Sequence, residues 1–391
     1  MPLPARCCRA ALAALALAAL ALLLPGAALA QSTEGPALAS PPPGEIAREA
    51  VRVDTVAGGL EHPWSLAVLP DGDLLVTERP GRLRRIHDGA VSAPLNGVPA
   101  VWANRQAGLF DVVLDPGFAE NQLLYLSYAH GSGAANTLRV ARARLAGDAL
   151  EDVEVIFEAQ PYRATSAHYG GRLAFLPDGT LLVANGEGYA YREEAQRLDS
   201  HFGTIVRLFP DGGMPEDNPF FGHEHVQPFV YTSGHRNVQG LAWDPLTGGP
   251  IAHEHGPRGG DEINLIHAGA NYGWPLATYG IDYSGALISP YQTYPGTEQP
   301  VLYWAPSIAP SGLAVYQGDL FADWQGDLLV GALAGQHLRR VIRDDSGAIT
   351  GQTALLTDHG QRIRDVRVAP DGSVYVLTDS ADGAVLRLTP P

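Results

Sequence analysis

A short pattern of apolar and turn-forming residues recurs six times along the chain. In each copy an apolar residue precedes a turn in which Asp stands beside Gly or Pro, and a run rich in Val, Leu and Tyr follows. Asp-Gly and Asp-Pro favour turns for backbone reasons, and short runs of this composition are typical of strands. No stretch shows sustained helical periodicity. The six copies lie at 69–78, 114–128, 176–187, 243–256, 324–333 and 369–379.

The repetition predicts an all-β fold. Copies spaced roughly 40–80 residues apart indicate a repeat architecture. Short strands with one turn signature per copy favour a six-bladed β-propeller, whose radial blades close a ring. A β-sandwich whose turns share Asp-Gly is the alternative. Uneven spacing places insertions around 186–235 and 265–315, and we expect them to gather on one face and build a site there.

The N-terminal fifty residues differ from the rest. Residues 1–30 carry two arginines before the apolar run 10–24, then Pro-Gly and a small-residue cleavage signal ending at Ala30, which is the pattern of a signal peptide. The Pro-rich segment 31–50 predicts a disordered spacer. We expect 51–391 to form a single propeller domain, located in the periplasm or outside the cell.

Charge and composition exclude several functions. Formal net charge is −16, and removal of 1–30, which holds two arginines and no acid, makes it more negative. So acidic a surface argues against nucleic acid and anionic lipid as partners. No later apolar run has the about 20 residues of a membrane helix. Both cysteines lie in 1–30 and the chain has no lysine, so thiolate and Schiff-base chemistry are excluded from the mature protein and cationic contacts must come from arginine.

Three stretches carry candidate chemistry outside the repeats. "SAHYGGRL" places His168 before two glycines, either as a structural histidine or as a general base. "TSGHRNVQG" contains Arg236 and Asn237, either a surface loop or an arginine directed at an oxyanion. "GQRIRDVRVAPDG" puts Arg362 and Arg364 on one face of a strand. These two either pair with Asp358 or Asp365 or bind a polyanionic small ligand.

The stretch "HEHGPRGGDEIN" at 253–264 allows three interpretations. His253 and His255 share a strand face, which suits zinc or copper, and "GHEHVQ" repeats the pattern. The carbonyls of Gly256 and Pro257, with Asp261 and Glu262 nearby, are hard oxygen ligands suited to Ca²⁺. A charged loop without a ligand is the third possibility.

The motifs in their order resemble the soluble pyrroloquinoline quinone (PQQ)-dependent glucose and aldose sugar dehydrogenases, above all the periplasmic aldose sugar dehydrogenase branch. The resemblance covers roughly 51–390 and rests on "HPWSLAVLPDG", "RQAGLFDVVLDPGF", "HYGGRL", "SGHRNVQGLAWDP", "HEHGPRGGDEIN", "NYGWP", "APSGLAVY" and "RIRDVRVAPDGSVYVLTD". The family's fold is a six-bladed propeller, which agrees with the repeat count. The resemblance implies an oxidoreductase that uses PQQ and Ca²⁺ to oxidise aldoses at C1 to lactones.

The resemblance also implies roles for individual residues. His168 matches the general base that takes the proton of the anomeric hydroxyl while hydride passes from C1 to C5 of the quinone. Arg236 matches a guanidinium that stabilises charge on the quinone. The carbonyls of Gly256 and Pro257 match Ca²⁺ ligands, and Glu262 and Tyr272 match a second, structural Ca²⁺ site. The remaining cofactor contacts implied are Gln106, Asn237, His255, Asp261, Arg362 and Arg364.

Two departures from the glucose dehydrogenase branch matter. That branch has an acid immediately before the base, where this chain has Ala167. Glu187, in "ANGEG", is our candidate for orienting His168 instead. The branch also has a cofactor-contacting lysine where this chain has Ala334, so cofactor affinity and substrate preference cannot be carried over.

Two other functions stay open at the level of sequence. One is a Ca²⁺-dependent propeller lactonase, and the other is a non-catalytic secreted binding propeller. For the dehydrogenase we expect a small aldose substrate, an unidentified electron acceptor of cytochrome or quinone type, and a monomer.

Overall fold

Six antiparallel sheets arranged in a ring make up the molecule. The structure, a computed structural model, describes residues 38–40 and 46–391. Each sheet contributes its first strand to the centre, and each of these inner strands contacts the inner strands of the two neighbouring sheets, so that the six close a circle. The expected six-bladed β-propeller is confirmed.

Strands are numbered in chain order, and each blade is given from its inner strand outward. Blade 1 contains β4 (Pro63–Val68), β5 (Leu74–Glu78), β6 (Arg82–His87) and β7 (Ala90–Val91). Blade 2 contains β8 (Leu109–Leu114), β9 (Leu123–Gly131), β10 (Asn136–Ala146) and β11 (Ala149–Glu158). Blade 3 contains β12 (Gly170–Phe175), β13 (Leu181–Asn185), β14 (Thr204–Leu208) and β15 (Val230–Thr232).

The second half of the ring follows the same order. Blade 4 contains β16 (Val238–Asp244), β17 (Gly249–Glu254), β18 (Asp261–Leu265), β19 (Leu302–Trp304) and the edge strand β1 (Leu38–Ala39). Blade 5 contains β20 (Pro310–Val315), β21 (Leu328–Ala332), β22 (His337–Arg343), β23 (Ile349–Leu355) and the edge strand β2 (Ala47–Arg48). Blade 6 contains β24 (Ile363–Val368), β25 (Val374–Thr378), β26 (Gly383–Thr389) and β3 (Arg52–Leu60).

The recurring turn phrase occurs once per blade. In every blade it covers the turn between the inner and the second strand and ends in or just beyond the second strand. All these turns lie on one face of the ring. The inner strands therefore begin, and the second strands end, on the opposite face.

Blade 6 closes the ring by joining distant parts of the chain. Strand β3 pairs antiparallel with β26, from Arg52 opposite Thr389 to Leu60 opposite Gly383. Because neither strand can complete the sheet alone, the ring closes only when both are in place.

The segment predicted to be a disordered spacer, 31–50, contributes two short strands instead. Leu38 and Ala39 pair in parallel with Leu302 and Tyr303, and Ala47 and Arg48 pair with Thr353 and Ala354. Glu49 also accepts hydrogen bonds from Arg340 and Thr353. The spacer prediction is wrong for these residues, whose backbone groups find partners at two sheet edges. The predicted signal peptide, 1–30, lies outside the described residues.

Helical structure is confined to short connections. The described residues form one helix, α1 (Phe118–Asn121), and 3₁₀ turns at Arg192–Gln196 and Ala322–Trp324. None of these is long or apolar enough to cross a lipid bilayer.

The apolar core lies between the blades because both faces of a blade are covered. In β13, Leu181 and Val183 pack towards blade 2, while Leu182 and Ala184 pack towards blade 4. Successive side chains of a strand point to opposite faces, so a strand covered on both sides reads as a continuous apolar run. Burying one Leu or Val side chain stabilises the fold by about 1.5–3 kcal/mol.

The centre of the ring holds a buried ion network instead of an apolar plug. Arg172 of β12 lies 2.9 Å from Asp365 and 3.5 Å from Asp111. Arg367 lies 2.8 Å from Asp111 and 3.2 Å from Asp365. The Arg172 guanidinium also stacks 4.0 Å from the Trp64 ring centroid. Two arginines and two aspartates from blades 2, 3 and 6 thus neutralise one another inside the channel.

The insertions lie only partly where the sequence placed them. Residues 186–203 join β13 to β14 on the face where inner strands begin, and 266–301 reach that face, since Arg258 bonds Ile281 and Arg192 lies 3.3 Å from Asp282. Residues 209–229, however, join β14 to β15 on the opposite face. The expectation of one shared face is wrong for them because β14 runs antiparallel to β13.

Candidate active site

A cavity of about 250 Å³ opens where the inner strands begin. Five of the residues singled out from the sequence line it: Gln106, Asn237, His255, Arg362 and Arg364. Its other walls are formed by Trp64, Arg79, Phe110, Tyr169, Gly170, Gln239, Ala309, Leu333 and Asp379. All six blades contribute to it, so only the closed ring can form it.

His168 stands immediately before β12, in left-handed backbone with φ of 51°. Its backbone N–H donates to Oε1 of Gln106 at 2.9 Å. The two glycines that follow have positive φ, and a Cβ at Gly170 would lie 2.6 Å from the carbonyl oxygen of Ala184. The "HYGG" sequence is therefore what lets the chain turn sharply into β12.

Glu187 contacts the His168 ring. Its Oε1 lies 3.1 Å from Nδ1 of His168, and both side chains are buried. Its Oε2 accepts the N–H of Tyr189 in a short contact, and its own N–H donates to the carbonyl of Arg236. Burial lowers the pKa of His168, and the Glu187 hydrogen bond opposes that effect. The imidazole is consequently neutral near pH 7.

Arg236 and Asn237 precede β16, the next inner strand. Nη1 of Arg236 donates to the carbonyls of His255 at 3.1 Å and Gly256 at 2.7 Å. The guanidinium lies 5.3 Å from the Trp274 ring centroid, and its buried Nε has no partner among the described residues. Oδ1 of Asn237 accepts the N–H of Gly170 at 3.1 Å, which ties this stretch to blade 3.

Three arginines give the cavity a positive wall. Arg362 and Arg364 both contact Oδ2 of Asp379, at 2.7 Å and 3.2 Å, and Arg79 lines the same wall. The pairing with Asp358 or Asp365 that the sequence left open is wrong, since Asp365 is bound by Arg172 and Arg367. Burial lowers the pKa of Arg364, and its Nε has no partner in the described chain.

The two histidines of "HEHGPRGGDEIN" bond to blade 5. Nε2 of His255 lies 2.6 Å from the carbonyl of Pro310, and Nε2 of His253 lies 3.4 Å from that of Gly312. The zinc or copper interpretation finds no support, because each ring faces a peptide carbonyl. No group of three or more His, Cys, Asp or Glu side chains that could hold a metal occurs in 38–40 or 46–391.

Asp261, a predicted cofactor contact, is not among the residues that line the cavity. One carboxylate oxygen accepts the N–H groups of Ile308 and Ala309, both at 2.9 Å, and the Ser307 hydroxyl, while the other accepts the N–H of Gly256. It therefore anchors the 307–309 loop and the Gly256 turn. Burial raises its pKa to about 6 in spite of these donors.

A second cavity of about 10 Å³ adjoins the first and shares His255 with it. Gly256, Glu262 and Tyr272 line this small cavity together with Glu254. Burial, then the neighbouring Glu254 carboxylate, raises the pKa of Glu262 well above its usual range. The Tyr272 hydroxyl faces away, since it donates to the carbonyl of Leu265 at 2.6 Å.

Several cavity residues were missed from the sequence, and one rule would have found some of them. Arg79, Leu333 and Asp379 were missed, and each follows the last residue of a second strand, as His255 does. Aligning the repeats and taking the residue after each second strand identifies this set. Trp64 and Gln239, one position after the start of their inner strands, follow a similar rule.

Comparison with known proteins places the chain in a family. The family model described as Glucose / Sorbosone dehydrogenase matches residues 60–387. The chain belongs to this family. Aldose sugar dehydrogenase YliI of Escherichia coli (strain K12) is 45% identical over 348 residues, which cover 87% of this chain and 93% of that protein. The resemblance found in the motifs is thus confirmed, and with it the expectation of an oxidoreductase.

Solved structures of relatives agree with the glucose/sorbosone dehydrogenase assignment. The apo-form of the soluble aldose sugar dehydrogenase from Escherichia coli has a TM-score of 0.85 and 44% identity, covering 88% of this chain and 100% of that one. The PQQ-bound form of aldose sugar dehydrogenase from Streptomyces coelicolor has a TM-score of 0.72 and 32% identity, covering 87% and 98%.

Proposed function

We propose that this protein is a PQQ- and Ca²⁺-dependent dehydrogenase that oxidises aldoses at C1 to lactones. One observation carries the proposal: a buried neutral histidine held by a carboxylate stands beside a cavity walled by three arginines. A base removes a proton, and the arginines suit an anionic partner. The relatives' names supply the substrate and the cofactor.

The cavity fits a planar polyanion such as PQQ, which carries three carboxylates. Arg362 and Arg364 share one carboxylate, Asp379, and Arg79 lines the same wall, so this wall has excess positive charge. The buried Nε of Arg364 has no partner in the described chain, and burying such a donor costs about 1–3 kcal/mol unless a ligand satisfies it. The cofactor's carboxylates would be held by Arg79, Arg362 and Arg364. The rest of its edge would be contacted by Gln106, Asn237 and His255.

The chain's own groups would handle the proton of the reaction. Glu187 accepts from Nδ1–H of His168, so the lone pair lies on Nε2, and Nε2 has no hydrogen-bond partner among the described residues. His168 would take the proton of the anomeric hydroxyl as the C1 carbonyl forms. Arg236 would stabilise the negative charge that develops on the cofactor as the substrate is oxidised. Bound PQQ supplies the two-electron acceptor that takes hydride from C1.

Ca²⁺ is the finer part of the proposal. Gly256 and Pro257 carbonyls would bind the ion at the cofactor, where Nη1 of Arg236 contacts Gly256 in this structure. Glu262, a carboxylate without a charged partner, and the backbone carbonyl of Tyr272 would bind a structural ion in the small cavity. Cation binding would relieve the repulsion between Glu262 and Glu254. Chelation followed by calorimetric titration with Ca²⁺ tests this, and Glu262→Gln should lose one of the two sites.

Neither alternative function gains a specific observation. A Ca²⁺-dependent lactonase needs free carboxylates at the channel, and Asp111 and Asp365 are both bound by arginines. We infer export to the periplasm or beyond from residues 1–30. Cell fractionation with N-terminal sequencing of the mature product tests that inference, and sedimentation tests the expected monomer.

Reconstitution tests the function as a whole. Residues 31–391 are purified without cofactor, PQQ is added with and without Ca²⁺, and dye reduction is followed with glucose and other aldoses. The expected result is sugar-dependent reduction that needs both additions and is lost in His168→Gln. No reduction, with no change in PQQ absorbance, would refute the proposal and favour a binding protein. Turnover of gluconolactone without PQQ would favour the lactonase.

A further inference from the structure

We propose that Arg163 is a positioning residue that holds His168 in place as a base. This proposal rests on the proposed function, because only then is His168 a base. The His168 titration that tests it does not depend on the proposed function. Arg163 lies five positions before His168, in a stretch that no motif covers, and it does not line the cavity. Its side chain is nonetheless one of the most deeply buried cations of the described chain, with 4% of its surface exposed.

The first argument is geometric. Nη1 of Arg163 donates to the carbonyl of His168 at 2.9 Å and to that of Gly186 at 3.1 Å. Arg163 thereby joins His168, which stands two residues before the start of β12, to Gly186, which follows β13 and precedes Glu187. His168 has positive φ, which for a residue other than glycine costs of order 1–3 kcal/mol and persists only where surrounding contacts impose it. Arg163 supplies such a contact to His168 and also to Gly186, the residue before Glu187.

Arg163 is itself fixed to a different blade. Its N–H donates to the carbonyl of Asn136 and its carbonyl accepts from the N–H of Asn136, both at 2.9 Å. Its guanidinium lies 4.0 Å from the Tyr169 ring centroid. Asn136 begins β10, so the clamp connects blade 2 with the base of blade 3. A rigid support of this kind is what a catalytic group needs to stay in reacting geometry.

The second argument is electrostatic. Arg163 makes no ion pair within 4.0 Å among the described residues, and its buried Nε has no partner there. Burying a charge costs free energy unless the charge is paired and hydrogen-bonded, and Arg163 has hydrogen bonds but no ion-pair partner among the described residues. Its positive charge disfavours the imidazolium form of His168, in the same direction as burial and Arg236. The groups facing His168 are Glu187, Arg163, Arg236, His255 and Tyr189, and Glu187 alone favours the charged imidazole.

Two substitutions separate geometry from charge. Arg163→Lys keeps the charge and loses the planar guanidinium whose Nη1 donates to both carbonyls, while Arg163→Gln loses the charge. Arg139→Gln is the control, since it removes a partly buried arginine from blade 2, to which Arg163 is bound, and the partner of Arg139, Glu158, is partly exposed. Three readouts are taken: unfolding temperature, the NMR titration of the His168 imidazole in the cofactor-free chain, and the pH profile of kcat/KM in the loaded enzyme. The His168 signal is identified by its loss in His168→Gln.

In Arg163→Gln we expect His168 to titrate at higher pH than in the unchanged protein, and the acid limb of kcat/KM to move the same way. In Arg163→Lys we expect an unchanged titration but a kcat lower by about tenfold or more, because the base is misplaced. The control should change none of these.

A purely structural role predicts another result. Unfolding temperatures would fall while the His168 titration and kcat stayed as they were, and that outcome overturns the proposal. If Arg163→Gln does not fold, Arg163→Lys decides the question. A kcat that is unchanged across the pH range in that variant would refute the proposed role of Arg163. The titration needs neither PQQ nor sugar, so a failure of the proposed function does not affect it.

Discussion

Glu187→Gln is the sharpest perturbation of the proposed base. The carboxylate of Glu187 accepts two hydrogen bonds, one from Nδ1–H of His168 and one from the N–H of Tyr189. A glutamine amide keeps the size of the side chain but has one acceptor oxygen and one donor NH₂. It can therefore satisfy one of these two donors and must oppose the other.

Each orientation of the amide has its own consequence. If the NH₂ faces Nδ1 of His168, the ring proton moves to Nε2 and the lone pair that accepts the substrate proton is lost. The general-base contribution, about 10²–10⁴-fold in rate, is then lost with it. If the NH₂ faces Tyr189, the base survives but the partly buried N–H of Tyr189 loses its acceptor, which costs up to about 1–3 kcal/mol of stability.

The assay follows both quantities in the same preparation. Steady-state kcat of the loaded enzyme measures the first, denaturant unfolding measures the second, and ¹⁵N NMR of the imidazole reports which nitrogen carries the proton. Glu193→Gln, at an exposed position six residues further on, is the control. A variant with unchanged kcat and unchanged free energy of unfolding would refute the reasoning, because both orientations demand a loss.

Three further outcomes are expected. Arg364→Gln should weaken PQQ binding by roughly ten- to a hundredfold in an absorbance titration, since a charge-assisted hydrogen bond contributes about 1.5–3 kcal/mol, and the more exposed Arg362 should matter less. Arg172→Met should lower the free energy of unfolding by about 3–5 kcal/mol, because it leaves buried carboxylates with too little positive charge; Arg387→Met, at the surface, should change it by about 0–1 kcal/mol. Lowering the pH from about 6.5 to 4 should destabilise the fold, because burial lowers the pKa of His201 to about 4 and of His253 to about 3. The unfolded chain then binds more protons than the native one in that window. Asp261, with its pKa raised to about 6, opposes this, so a denaturation series with a flat or rising profile would contradict the dominance of the histidines.

The fold could be predicted from the sequence because its turns contain residues that mark them clearly. In every blade an Asp beside Gly or Pro marks the step from the inner to the second strand, and counting these turns yields the number of blades. The two strands within 38–48 were not accessible. Their pairing is two residues long on each edge, and it is decided by distant strands that offer unpaired backbone groups, not by local composition.

The candidate site divides along a similar line. His168, Arg236 and the arginine pair stood out because glycines or unusual charge surround them. Asp379 did not, although it lies beside Arg362 as soon as β24 and β25 pair, with Ile363 opposite Thr378. Asp261 stays a prediction as a cofactor contact, because a carboxylate that binds backbone N–H groups looks, in sequence, like one that faces a ligand. Which of the two it does depends on the 307–309 loop, more than forty positions away.

The pairing of β3 with β26 determines when this protein can begin to work. Positions 52 and 389 must meet, so a chain that is still being synthesised has an open circle and no completed cavity. Arg362, Arg364 and Asp379 belong to the blade that is finished last. The arginine wall is therefore completed only at the end of folding, and contacts so far apart in sequence make that folding slow.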